Sequence, residues 1–242
     1  PESAEPETSG TESSATESAE EENSETESMK EESSASSAEN SSLVILADNS
    51  EIIENDSATV TLDGVEYASM QSAIDAVAAS ESKSGTITLL GDVPNAEGVK
   101  VPSGLNVTID FAGFTYTLAG PGAGSTNTET NGFQLLKDST ILFKNGTVNI
   151  AQNAANIKRM VQNYANLTLE DMRFEAANQV GGEDYALSFN NGDIVFKGST
   201  SIITTSDNTI AFDLCKFSSY PGGSVTFDNS YTGEISGRIV YD

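Results

Sequence analysis

Two pairs of adjacent carboxylates, Glu170-Asp171 and Glu183-Asp184, and the cations Lys158, Arg159 and Arg173 are the residues whose types and spacing could do chemistry. Neighbouring acids supply the hard oxygens that Ca2+ takes, and an arginine beside them can hold an anionic or hydroxyl-bearing ligand. Arg159, Glu170, Asp171, Arg173, Glu183 and Asp184 therefore form a candidate ligand-binding group, with Ca2+ as its one conceivable ion and no other cofactor expected. The plainer alternative is solvated surface charge, because Asp+Glu number 37 against Lys+Arg 11 and paired acids then arise by chance. Tyrosines offer a second route. Tyr116, Tyr164, Tyr185, Tyr220 and Tyr231 could stack on sugar rings, although several stand in strand-like runs that also suit half-buried packing, and Trp is absent.

Other chemistry is excluded by composition. The chain has no His, which removes the usual general base, the commonest metal ligand and the ordinary Ser-His-Asp and Cys-His arrangements. A formal charge of -26 over 242 residues repels phosphate backbones and anionic headgroups, so nucleic acid and bare membrane are poor partners. The single Cys215 cannot form an intramolecular disulfide, and in the alternating run Phe212–Phe217 it reads as a buried structural thiol. No stretch approaches the roughly 18 apolar residues of a membrane span, and no signal peptide is visible.

The elements that must position these residues repeat. Gly85-Thr86-Ile87-Thr88-Leu89-Leu90-Gly91 returns as Asn106–Asp110, Ser139–Lys144, Asn166–Glu170, Asp193–Lys197 and Ser224–Asp228. Each is a short β-favouring run in which apolar and polar residues alternate, so each has one face toward a core. Aligning Ile87, Val107, Ile141, Leu167, Ile194 and Val225 gives spacings of roughly 20, 34, 26, 27 and 31, the repeat range of solenoids. The unequal spacing places insertions in loops, most clearly at 121–132. Second and third strands are expected in each repeat, at 114–118 and 133–136, 148–150 and 160–164, 173–175 and 186–189, and 201–203 and 210–212. Asn145-Gly146 and Asn191-Gly192 are turn dipeptides suited to left-handed backbone.

Ahead of the repeats the character changes twice. Residues 1–42 are almost wholly Ser, Glu, Thr and Ala with Lys30 as the only cation, too little apolar surface to offset ordering entropy, so an extended disordered linker is expected. The folded domain is then 43–242. Strands are expected at 44–47 and 58–62, with Asp63-Gly64 turning the second into Val65–Ala68. Over 69–79, Met70, Ile74 and Val77 form one apolar helical stripe with Ser69 as N-cap. Such a helix would cover one open end of the stack, which otherwise exposes apolar surface and strand edges.

The run from Val60 to Ala76, followed by Gly85–Val93, resembles a module of surface proteins from Gram-positive gut bacteria. There a cap of the form G-x-x-Y-x-S/T-hydrophobic-Q-x-A-I-D-A precedes G-T-I-T-L-L-x-D-V. The continuation Asn106–Leu118 is similar to that group's T-I-D-L-N-G-x-T-I. The resemblance implies an all-β fold, a right-handed parallel β-helix (single-stranded, pectin-lyase-like) with an N-terminal capping helix. Lyases of that fold use carboxylate-held Ca2+ with an Arg or Lys base. Its hydrolases use clustered Asp with a His, and this chain has no Asn-Thr-Asp, Asp-Asp or Gly-His-Gly. Residues 1–42 resemble stalks that follow the anchor cysteine of bacterial lipoproteins. The expectation is therefore a non-catalytic extracellular or cell-surface β-helix that binds a glycan or a host or envelope protein, with membrane contact only through a removed lipid anchor. A degenerate polysaccharide lyase and a structural spacer of a longer adhesin are the rivals, and oligomeric state stays open.

Overall fold

The computed structural model describes residues 58–152, 154, 156–176, 185–190, 192–205, 209–215 and 223–241, with backbone alone at 185 and 188–190. The acidic segment 1–42 and the strand expected at 44–47 lie outside the described residues.

The first elements follow local rules closely. β1 (Val60–Leu62) and β2 (Val65–Tyr67) pair antiparallel with Leu62 opposite Val65. Asp63 and Gly64 both take positive φ, 48° and 88°, as a two-residue hairpin turn of the primed class requires. α1 (Met70–Ala79) begins at Ser69, whose side chain accepts from the Ser72 N–H while the Ser72 hydroxyl accepts from the Ser69 N–H. Its buried face is Met70, Ala73, Ile74 and Val77, the stripe that the 3.6-residue period demands.

From there the chain makes six passes, each adding strands to the same parallel ladders. The first ladder takes β3 (Ser84–Leu89), β6 (Asn106–Asp110), the first half of β9 (Thr140–Ile150), the first half of β11 (Asn166–Glu175), β13 (Ile194–Lys197) and β16 (Val225–Phe227). A side ladder of the same sheet takes β4 (Val93–Ala96), β7 (Thr115–Leu118), the second halves of β9 and β11, and β14 (Ser201–Ile203), with Ile235 bridged to Ile202. The second sheet takes β5 (Val99–Val101), β8 (Asn131–Leu135), β10 (Arg159–Asn163), β12 (Tyr185–Asn190), β15 (Ile210–Cys215) and β17 (Arg238–Tyr241), all parallel. The protein is all-β with parallel sheets apart from α1 and the β1–β2 hairpin, with β1 antiparallel to β3.

Register explains the core. Val107, Ile141, Leu167, Ile194 and Val225 share one rung, as expected, but the first-pass residue on that rung is Gly85, and Ile87 pairs with Ile109. The alignment from sequence is thus two residues off in the first pass. A slip of two keeps the same face, so alternation alone cannot detect it. The structural reason is the cap: a Cβ on Gly85 would lie 2.6 Å from Leu62 Cδ1 and 3.3 Å from Val77 Cγ2, so cap side chains fill the space that Val107 or Ile141 fills in later passes.

One rung further along stand Ile87, Ile109, Phe143, Leu169 and Phe196, all fully buried. Residues from all three ladders join in one hydrophobic core. Burying each such side chain contributes about 1.5–3 kcal/mol. Phe111, Phe133 and Phe143 pack edge to face with centroids 5.0–6.4 Å apart.

On the outside of the first ladder, a column of residues in register alternates in sign: Asp110, Lys144, Glu170, Lys197. Opposite charges on neighbouring strands are favourable, and the alternation also disfavours wrong register. The bend between the two halves of this sheet repeats as well. Asn145, Asp171 and Gly198 follow Lys144, Glu170 and Lys197 and take φ of 59°, 52° and 54°, the left-handed region that Asn, Asp and Gly tolerate best. Gly146, expected to share the turn with Asn145, instead lies in β9, where a Cβ would meet Phe111 Cβ at 2.3 Å.

Candidate functional site

The four candidate residues that the structure describes are placed by this scaffold. Glu170 stands in the alternating column, between Lys144 and Lys197 in register. Asp171 occupies the left-handed bend and accepts from the Ser199 N–H at 2.8 Å and the Ser199 hydroxyl at 2.9 Å. Those two bonds hold its carboxyl below the ordinary carboxylate range. Arg173 is exposed and donates from Nε to Glu175 at 2.6 Å. Arg159 opens β10 on the second sheet, in register with Asn131 and Tyr185. The structure thus places Glu170, Asp171 and Arg173 on β11 and Arg159 on a different sheet. Glu183 and Asp184 lie outside the described residues. Among the described residues, no group of three or more His, Cys, Asp or Glu side chains is placed to hold a metal ion.

The tyrosines are also reassigned. Tyr116 is buried, with its ring 6.3 Å from Phe111 and 5.5 Å from Phe133. Tyr231 is half-buried against Phe196 and Phe227, and burial raises its pKa. Neither is an exposed platform: strand alternation points Tyr116 at the core, and Tyr231 follows a turn closed by its N–H on Asp228 O that packs its ring on Phe196 and Phe227. The Tyr185 side chain and Tyr220 lie outside the described residues. Cys215 is half-buried rather than buried, and its thiol donates to Asp213 Oδ2 at 2.9 Å. It shares the outward parity of Asp213, which the run around it did not disclose.

Buried polar groups almost always find hydrogen-bond partners, and the interior ones here obey. Ser139 donates to Pro102 O at 2.9 Å and accepts from the Leu105 N–H. Asn163 is closed on both sides by Ala165, and Thr200 accepts from the Met172 N–H. Exceptions lie mostly on the second sheet, with Asn149 Oδ1 on β9 outside it. Gln134 Oε1, Asp213 Oδ1 and Asn131 Oδ1 are buried and accept no hydrogen bond among the described residues. Gln134 lies between core residues Phe133 and Leu135, and Asp213 follows core residue Phe212, so alternation turns both away from the core. The register joins Lys100, Gln134, Gln162, Ser188 and Asp213 into one row across five strands, about 19 Å long at ~4.8 Å per strand. Arg159 flanks this row next to Asn131.

This row carries amide and carboxylate groups at regular spacing, and its Gln134, Gln162 and Asp213 are only 8%, 7% and 5% exposed. Nothing in the sequence links Gln134, Gln162 and Asp213, which become neighbours only when three strands are in register. Comparison with family models, curated proteins and solved structures found no match for this chain. Among the described residues, no helix is long and apolar enough to cross a membrane.

Proposed function

We propose that this chain is a non-catalytic β-helix of an extracellular or cell-surface protein, and that it binds carbohydrate along the outward row of its second sheet. The three parallel ladders and single core support a closed, right-handed solenoid of the pectate-lyase plan, with α1 and the β1–β2 hairpin as its cap. The acidic Ser/Glu-rich segment 1–42 suits a stalk that holds the domain away from an envelope.

The observation that carries the binding role is the row itself. Unpartnered acceptors at Gln134 and Asp213, both in the row, leave hydrogen-bond capacity that sugar hydroxyls would fill once these side chains, 8% and 5% exposed, turn toward the ligand. Arg173 and Asp171 are committed to partners within the fold, which favours binding over turnover in that region.

The test is a glycan array with the full chain, repeated with a Gln134→Ala/Asp213→Ala variant, beside an assay for unsaturated product on pectin, alginate and glycosaminoglycans with and without Ca2+. The expected result is glycan binding that weakens at least tenfold in the variant. Turnover lost in Arg173→Ala would establish the lyase instead, and an array without hits would leave a spacer.

A further inference from the structure

A cavity of about 260 Å³ lies between the start of α1 and the β4–β5 corner, beside Lys100, the first residue of the row on the second sheet. At ~30 Å³ per water it holds roughly eight waters, the bulk of one small ligand rather than a chain. Met70, Ala96 and Val99 give it an apolar floor, and all three are at most 4% exposed. The exposed side chains of Asn95 and Glu97 stand on its lining.

The decisive residue is Tyr116, which also lines the cavity and is 4% exposed. Its ring is fixed in the aromatic cluster, yet its hydroxyl donates to no group among the described residues. Its oxygen is not among the buried side-chain atoms that lack a partner, so the ring is buried while the hydroxyl stays open to the cavity. Burial, reinforced by Glu97, raises its pKa far above the ordinary value, so it remains a donor at physiological pH. The first turn of α1 adds donors. Ser69 takes up the Ser72 and Ala73 N–H groups, which leaves those of Met70 and Gln71, both lining residues.

Donors from the phenol and helix start therefore share the cavity with acceptors from Glu97 and Asn95. An anion would meet the Glu97 carboxylate, and a cation would meet the positive end of α1. A neutral group that both donates and accepts suits both sets, and the apolar floor suits the C–H face of a ring. We propose that this cavity binds one uncharged sugar residue, with the Tyr116 hydroxyl as its deep donor. The site adjoins the Lys100 end of the row on the second sheet but includes none of Gln134, Gln162 or Asp213.

The test is saturation-transfer NMR and calorimetry on the full chain with glucose, galactose, mannose, fucose and N-acetylglucosamine at millimolar concentration. Wild type is compared with Tyr116→Phe, which keeps the ring packing and so serves as a folded control by its melting temperature. The expected result is binding of at least one sugar, weakened about tenfold in Tyr116→Phe, the effect of one hydrogen bond, and unchanged in Gln134→Ala/Asp213→Ala. No binding by any of the five, or binding indifferent to Tyr116→Phe, overturns the proposal and leaves a water-filled cavity. Sugar binding that falls only in the Gln134/Asp213 variant overturns this site while sustaining the row.

Discussion

Phe143→Ala tests the parity of the first ladder. Phe143 is fully buried and packs against Phe111 at 5.7 Å and Phe133 at 5.0 Å. Its removal takes away the transfer free energy of a benzyl group, leaves a void bounded by rings fixed by the strands, and breaks two edge-to-face pairs. Phe→Ala in such a site costs about 3–5 kcal/mol, and we expect about 4. Leu142, one residue earlier, faces outward and is half-buried, so Leu142→Ala should cost under ~1 kcal/mol. In urea, with a slope of about 2–3 kcal/mol/M for a domain of this size, Phe143→Ala should lower the midpoint by roughly 1.5 M and Leu142→Ala by less than ~0.5 M. A pairing slipped by one residue would exchange the two costs. Equal effects, or a larger loss for Leu142→Ala, would refute the register described above.

Other expectations follow from single contacts. The Gln71 side chain accepts from the Lys100 N–H at 2.8 Å and donates to Lys100 O at 3.2 Å, so it strands the cap against β5. Gln71→Ala should cost about 1–2 kcal/mol, read as a lower melting temperature, and a neutral result would show the strap to be idle. Gly146→Ala should cost about 1–3 kcal/mol by overpacking against Phe111, measured by the same unfolding assay. Asp110 is affected most by burial, which raises its pKa, but the Ala112 N–H, Lys144 and Asn145 together outweigh that and hold it below the ordinary value. A carboxyl depressed in the folded state stabilises above its unfolded pKa and loses that contribution as pH falls through the folded one. Melting temperatures should therefore fall below about pH 4 more steeply in wild type than in Asp110→Asn, and parallel curves would contradict this. Arg173→Ala removes an exposed pair with Glu175 and should change stability by less than ~0.5 kcal/mol, checked by urea unfolding.

Much of this architecture was legible because its signals are local or periodic. The Asp63-Gly64 turn, the Ser69 cap and the Met70/Ile74/Val77 stripe each depend on residues within one turn of chain. The recurring runs were legible because alternation is set by the pleat. What escaped needed the third dimension. Gly85 takes the rung assigned to Ile87 because Leu62 and Val77 occupy the space beside it. Asp171 read as half of an acidic pair, but its place in a stacked left-handed bend gives it a conformational reason to be Asp. The Gln71 strap looked like a polar helix position, since its partner is 29 residues away. Tyr116 read as either a sugar platform or strand packing, and the structure takes the packing alternative, on the same parity as Leu118.

The two ends of the ladders are finished differently. At the first, α1 and the hairpin cover the core. At the last described pass, Phe227, Ile239 and Tyr241 are 47%, 57% and 79% exposed. Neighbour-to-neighbour stacks of this kind lose order from their weakest boundary inward. Amide protons of β16 and β17 in this chain should therefore exchange with solvent well before those of β6 and β9, so that fraying runs from the exposed rungs toward the lid.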